Sequence, residues 1–224
     1  SGIGTFTLTA NNTYAGTTTI SGGSLVVSGS GAKIGNNTGA IAVGSNRLDI
    51  NNSANIGNPV GITSGTVGAS NGSGTLSGSL TLTGDATLAV SGTGTGLTVG
   101  GAIAQSGGTR ALSVDAGSGT VTLTANNTYD GTTTINSGTL VVSGVGAKVG
   151  NDTGMVAVGA NRLDVNNGAS LGNPVTIGSG TVRTSNGSGT LSGSITLSGD
   201  ATAAVGGTGT ALTIAGAMAQ SGGT

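Results

Sequence analysis

Thr120-Val-Thr-Leu-Thr-Ala-Asn-Asn-Thr-Tyr129 is followed by Gly131-Thr-Thr-Thr-Ile135 and Gly138-Thr-Leu-Val-Val-Ser143. The same run occurs earlier, from Thr5 to Tyr14, then Gly16 to Ile20 and Gly23 to Ser28. Tyr129 follows Tyr14 by 115 positions, and that offset holds to the end of the chain without insertion or deletion. Lys33 matches Lys148, Arg47 matches Arg162, Pro59 matches Pro174 and Gln105 matches Gln220. About three in four positions are identical between the copies. A repeat this long and this well phased governs every other reading of the chain.

Composition narrows the class. The 224 residues include 48 Gly, one Phe and two Tyr, with no Cys, His or Trp. Apolar residues make up 34% and are mostly Val, Leu, Ile and Ala, while charged residues make up 6%. Disorder usually pairs few apolar residues with high net charge. Here the formal charge is −1 and the apolar residues recur regularly, which a flexible Gly/Ser linker does not do. Absent Cys excludes disulfide stapling and thiolate metal sites. The low charge excludes a polybasic nucleic-acid surface. No stretch reaches the continuous apolar length of a membrane helix, so no direct membrane insertion is expected of this segment.

Short alternating segments fill the chain. Thr5-Phe-Thr-Leu-Thr9 and Ser79-Leu-Thr-Leu-Thr83 alternate polar and apolar residues, as half-buried strands do. Ser24 to Ser28, Ala40 to Val43, Arg47 to Asn51, Val60 to Thr63, Thr66 to Ala69, Thr87 to Ser91, Gly96 to Gly100 and Ala111 to Asp115 read as further strands. The spans 52–58 and 71–74 read as turns, and 102–104 as a weaker strand. No segment has helical spacing, and Gly and Thr oppose helix throughout.

Spacing selects among all-β folds. Apolar pairs recur at Leu25/Val27, Leu48/Ile50, Val67, Leu88/Val90 and Leu112/Val114, about a score of residues apart. That interval suits one coil of a β-solenoid, giving about five or six coils per 115-residue unit. With stacked strands roughly 4.8 Å apart, one unit advances roughly 25–30 Å. A sandwich or barrel closes over larger core residues, aromatics especially, which this chain lacks. The expected organisation is one continuous solenoid, with residues 1–115 as its first unit and 116–224 as its second. Thr224 matches Thr109, so the second unit lacks a counterpart of the bridging strand at 110–115. The chain thus reads as a window on a longer array with an open edge at Thr224.

The phrase from Thr120 to Ser143, and its copy from Thr5 to Ser28, resembles the passenger-associated transport repeat of bacterial autotransporters. Gly117-Ser-Gly-Thr-Val-Thr-Leu-Thr124 is similar to the usual lead-in. The resemblance implies a right-handed parallel β-helix, secretion across the outer membrane of a diderm bacterium, and an extracellular or cell-surface location. The usual Gly-Gly ahead of the Thr-Thr strand is replaced by Ala15-Gly16 and Asp130-Gly131.

Little in the sequence points to chemistry. There are seven Asp and no Glu; Asp49 and Asp164 are copies of one position, as are Asp85 and Asp200. Glycoside hydrolysis needs two carboxyl groups across a cleft, and a turn or surface role is the simpler reading of these Asp residues. Arg47 and Asp49 share one face of a strand, with Leu48 and Ile50 inward; Arg162 and Asp164 repeat the pattern. These two pairs are expected to be solvent-side ion pairs. Tyr14 and Tyr129 are candidates for stacking on a sugar, or else cover solenoid corners. No metal spacing, phosphate loop or nucleophile–base pair is present, so no enzyme activity and no cofactor are expected. Asn-x-Ser/Thr triplets at Asn11, Asn36, Asn51 and Asn71 carry little weight in a chain this rich in all three residues.

The leading expectation is a structural segment of a long repetitive surface fibre or stalk. Its partners would be further copies of the repeat, covalently linked or stacked end to end. The alternative is an adhesin segment that binds a surface glycan or promotes aggregation and biofilm formation. A specialised polysaccharide-processing β-helix is third.

Overall fold

The computed structural model describes residues 2–92 and 94–221, so the expected edge at Thr224 lies outside the described residues. Parallel strands stack as a β-solenoid of about ten coils, and no helix occurs among the described residues. Each full coil carries up to three strands, on three faces. On face one, Thr5–Leu8, Ser24–Ser28, Arg47–Asn51, Thr66–Ala69 and Ala86–Val90 pair in sequence order, all in parallel. The next strand on that face is 112–115, the first part of the long strand Leu112–Leu123. Asn55–Ile56, Gly74–Leu76 and Gly96–Val99 stack on face three. Thr18–Thr19, Ile41–Gly44, Val60–Ile62, Leu80–Leu82 and Ile103–Gln105 stack on face two. The span 52–58, expected to be a turn, thus contains a strand, and another begins at Gly74. Their two or three residues are too short to show alternation; only pairing with adjacent coils holds them extended.

Inward residues form columns along the axis. Leu25, Leu48, Val67, Leu88, Val114 and Ile135 lie one above the next in register. Ile56, Leu76, Val99, Leu123, Val142 and Val165 do the same on face three. Both columns cross the boundary between copies without a break. All of these side chains are buried except at their margins, and Leu48, Ile50 and Leu88 have no exposed surface. Burying one such side chain contributes about 1.5–3 kcal/mol. Each therefore rests on like neighbours above and below, which is why stability is distributed rather than centred.

The copies meet through two long strands. Residues 112–115 pair below with Ala86–Val90 of the first copy and above with 133–137 of the second. This is the splice that the sequence predicts. Leu112–Leu123 and Thr133–Ser143 then turn a corner and continue on face three, joining faces one and three into a 17-stranded sheet. The corner is made at 116–119 and 136–138, where the register shifts. Gly138 has φ +75°, and a Cβ there would stand 2.8 Å from the Gly117 carbonyl oxygen, so only glycine fits.

The unit does not hold a whole number of coils. Thr5, Ser24, Arg47, Thr66, Thr87 and Ser113 occupy one column, five coils from end to end. Thr120, the copy of Thr5, pairs instead with Gly96 on face three. The 115-residue period is therefore five coils plus one face. Every strand of the second copy is displaced one face around the axis: Val156–Gly159, Val175–Ile177, Ile195–Leu197 and Met218–Gln220 continue face one. Their counterparts in the first copy, Ile41–Gly44 through Ile103–Gln105, build face two.

Replacing Leu48 with Ala is expected to lower stability by about 2–4 kcal/mol, because neighbours fixed by the coils above and below cannot close the hole. Chemical denaturation followed by circular dichroism measures it; an unchanged curve would contradict the column.

Candidate functional site

The strand Arg47–Asn51 alternates as the sequence demands. Leu48 and Ile50 point into the core, and Arg47 and Asp49 lie on the outer side. The expectation of a solvent-side ion pair needs correction, since Asp49 is only 5% exposed and Asp164 only 2%. The guanidinium lies over the carboxylate and excludes water from it. Arg47 Nε donates to Asp49 Oδ2 at 2.8 Å, and a terminal guanidinium nitrogen stands 2.7 Å from Oδ1. The Ser70 hydroxyl, one coil up, donates to Asp49 Oδ2 at 3.3 Å.

The second copy adds a residue to this arrangement. Arg183 stands where the first copy has Gly68, and its strand partner is Asp164. Arg183 Nε donates to both oxygens of Asp164, at 3.0 and 3.1 Å, and Ser185 donates to Oδ2 at 3.1 Å. Arg162 Nε is 3.0 Å from Asp164 Oδ1 but is not aligned for a hydrogen bond. In the first copy a Cβ at Gly68 would meet the Arg47 guanidinium at 2.6 Å. Arg47 thus occupies the space that Arg183 takes in the second copy. Sequence reading missed Arg183; its signal was a departure between copies, Gly to Arg, directly above a retained Asp. The two clusters do not converge. Arg47 and Asp49 lie on face one, Arg162 and Asp164 on face three.

The tyrosines differ in exposure. Both hydroxyls bond a threonine four residues on, Tyr14 to Thr18 and Tyr129 to Thr133, each at 2.7 Å. Tyr129 has no exposed surface, so its ring is not a platform for a sugar and instead fills a corner of the core. The segment that carries it pairs with the coil beneath: Thr128 N–H donates to the Ile103 carbonyl at 2.9 Å. Tyr14 lies in the first described coil and is 46% exposed. It lines a groove of about 440 Å³ with Phe6, Leu8, Ile20 and Leu25. The copies of these residues, Val121, Leu123, Tyr129, Ile135 and Leu140, are all buried. Burial pushes the Tyr129 hydroxyl well above its ordinary value of 10.0, since the phenolate would lose its hydration.

Polar side chains missed in the sequence close the corners. Asn58 and Asn173 are 1% exposed and donate to the carbonyls of Gly39 and Gly154, one coil below, each at 2.8 Å. Asn51 Oδ1 accepts from the backbone of Ser70 and Asn71 at 2.8 and 3.2 Å. Asn127 Oδ1 accepts from Ile103 N–H at 2.8 Å. These side chains satisfy backbone groups that leave the ladder at a bend. At the splice, Gln105 and Asn151 donate to the two carboxylate oxygens of Asp130, whose first-copy counterpart is Ala15. Gln105 Oε1 also accepts from the backbone of Arg110 and Asp130, at 3.0 and 2.9 Å. Asp85 Oδ1 accepts from Ala111 N–H at 2.8 Å. The carboxylates thus tie coil to coil. Among the described residues no group of three or more His, Cys, Asp or Glu is placed to hold a metal ion, and no helix is long and apolar enough to cross a membrane.

The model of the passenger-associated-transport-repeat family matches residues 1–27 and 114–142. These are the two copies of the phrase on which the sequence reading rests. They occupy the corresponding coils of the two units, and repeat and solenoid together fit an autotransporter passenger built with such repeats. No curated protein and no solved structure matches the chain.

Two outcomes test this geometry. Arg47→Ala strips the guanidinium roof from Asp49 and leaves Ser70 as its side-chain donor, whereas Arg162→Ala leaves Asp164 held by Arg183. The first substitution is therefore expected to cost about 1–2 kcal/mol and the second under about 0.5 kcal/mol. Hydrogen exchange at Thr66–Ala69 and Thr181–Thr184 reads the difference locally; equal loss of protection would contradict it. The raised Tyr129 hydroxyl gives a pH signature. The unfolded chain ionises near 10 while the folded chain does not, so this contribution is complete below that pH and is lost as pH rises above it. Tyr129→Phe should flatten the alkaline fall in stability between pH 9 and 12, and an unaltered slope would remove Tyr129 as its source.

Proposed function

We propose that this chain is a rod segment of an autotransporter passenger, displayed outside the outer membrane of a diderm bacterium, and that its work is mechanical rather than catalytic. The observation that carries this reading is the continuity of the core across the copy boundary. Leu88 passes to Val114 and Ile135, and Val99 to Leu123 and Val142, each column unbroken although the register shifts at the corner between them. A solenoid joined in this way lengthens by adding units, and each new unit gains the same neighbours as the last. The passenger-repeat matches support the surface location.

The internal junction also supplies a reading of how units meet. The second copy buries its Val121, Leu123 and Tyr129 on the last coil of the first, with Val121 over Leu97 and Leu123 over Val99. In a rod of several units, each unit seats its first coil on the preceding unit's last coil in the same way. Burial of apolar surface at about 25 cal/mol per Å² and pairing of the open strand edge both favour that contact. It serves equally whether units are covalently linked or stacked end to end.

The carboxylates support a scaffold over an acid–base pair. Asp49 and Asp164 lie under guanidinium groups, and Asp85 and Asp130 accept bonds from neighbouring coils. The adhesin reading is an outcome of the test. Antibody against this segment should label intact, unpermeabilised cells, and electron microscopy of released material should show thin rods whose length scales with repeat number. Labelling only after permeabilisation, or compact particles, would overturn the proposal. Saturable binding of the purified segment to a glycan array would make it an adhesin instead.

A further inference from the structure

The displacement of the second copy by one face has a consequence for any rod of such units, and this inference rests on the rod reading above. We infer that successive units turn their outward residues to the three faces in rotation, so that the rod is three-sided in its surface chemistry. The observation is the pairing of Thr120 with Gly96 on face three, when its counterpart Thr5 begins face one. The shift propagates: Arg47 and Asp49 lie on face one, whereas Arg162 and Asp164 lie on face three. A third unit in the same phase places its Arg–Asp pair on face two, and a fourth returns to face one. Sixteen coils then separate like features on one face, roughly 77 Å at 4.8 Å per coil. A unit of five whole coils would instead repeat each feature on one face every 24 Å or so.

The kind of partner follows from that spacing. A flat partner lying along one face, such as a second rod side by side, meets a given feature only in every third unit. A chain with 6% charged residues has few charges with which to resist side-by-side packing. A one-face stripe of identical residues at every unit is the arrangement that zips laterally. Rotation of the pattern breaks that stripe. A small or flexible partner, by contrast, finds the feature from every direction. The surface therefore disfavours a second copy laid in parallel. The splice enforces the rotation. Residues 112–115 complete the fifth coil on face one, and the corner at 116–119 delivers Thr120 one face further on.

The chain lacks cysteine, so paired spin labels measure the phase directly. Ser45, Met155 and Ala160 are all exposed. Ser45 and Met155 both precede face-one strands, five coils apart, whereas Ala160, the copy of Ser45, lies between faces one and three. The pair S45C/M155C is expected near 24 Å, with the displacement almost wholly axial. The pair S45C/A160C is expected to be longer by roughly 5–8 Å, because a lateral step across the coil adds to a similar axial rise. Circular dichroism of each doubly labelled protein establishes that it is folded. Equal distances, or a shorter S45C/A160C distance, would overturn the rotation. In rods of four or more units labelled with gold at the Ala160 position of every unit, the label should recur on one side about every 77 Å. Recurrence on one side at every unit would overturn it as well. Neither spin-label distance depends on whether native material forms rods, so failure of the phase and failure of the rod reading are separable.

Discussion

Everything in this molecule depends on the parallel ladder between one coil and the next. Strands about 4.8 Å apart leave no room for a side chain to be out of place along the axis. An inward residue must land on a residue of similar size, and a backbone group that leaves the ladder must find a partner within one coil. The column of Leu25, Leu48, Val67, Leu88, Val114 and Ile135 meets the first demand. It does so with branched aliphatic side chains, which stack upon copies of themselves without the geometric preferences of aromatic rings. The scarcity of Phe and Tyr is thus a consequence of the architecture.

The second demand explains the buried polar residues. Asn58, Asn173 and Asn127 lie at corners, are almost wholly buried and bond the coil beside them. Asp49 and Asp164 are roofed by arginine. An isolated carboxylate in such a position would be costly, and the guanidinium compensates by direct pairing. The second copy uses Arg183 to do what Arg47 does in the first, which shows that the constraint attaches to the carboxylate rather than to one donor.

Corners also set the phase. Coils run from 19 to 26 residues between register-matched positions, so corner loops absorb wide variation while the ladders stay in step. The 115-residue genetic period and the coil period are therefore independent. Their mismatch of one face places identical sequences in different directions, with unlike neighbours in the coil. Tyr14 and Tyr129 share a sequence and a hydroxyl bond, but the coil beneath Tyr129 decides its burial.

The sequence by itself determined the all-β class, the solenoid, the strand alternation and the columns, because apolar spacing of about a score of residues survives in the linear order. It also placed the splice at 111–115, since the repeat offset locates it. Leu48 and Ile50 were legible as inward, and Arg47 and Asp49 as outward, from period-two alternation alone. Only the tertiary structure decided how deep Asp49 and Asp164 lie, because burial of an outward residue depends on side chains arriving from the next coil. The same reason hid Arg183, the corner asparagines and the short strand Asn55–Ile56, all held by residues about 20 positions away. The one-face rotation was hidden more deeply. It depends on how many residues each corner consumes, and loops of unequal length leave no trace of that count until the ladders are paired.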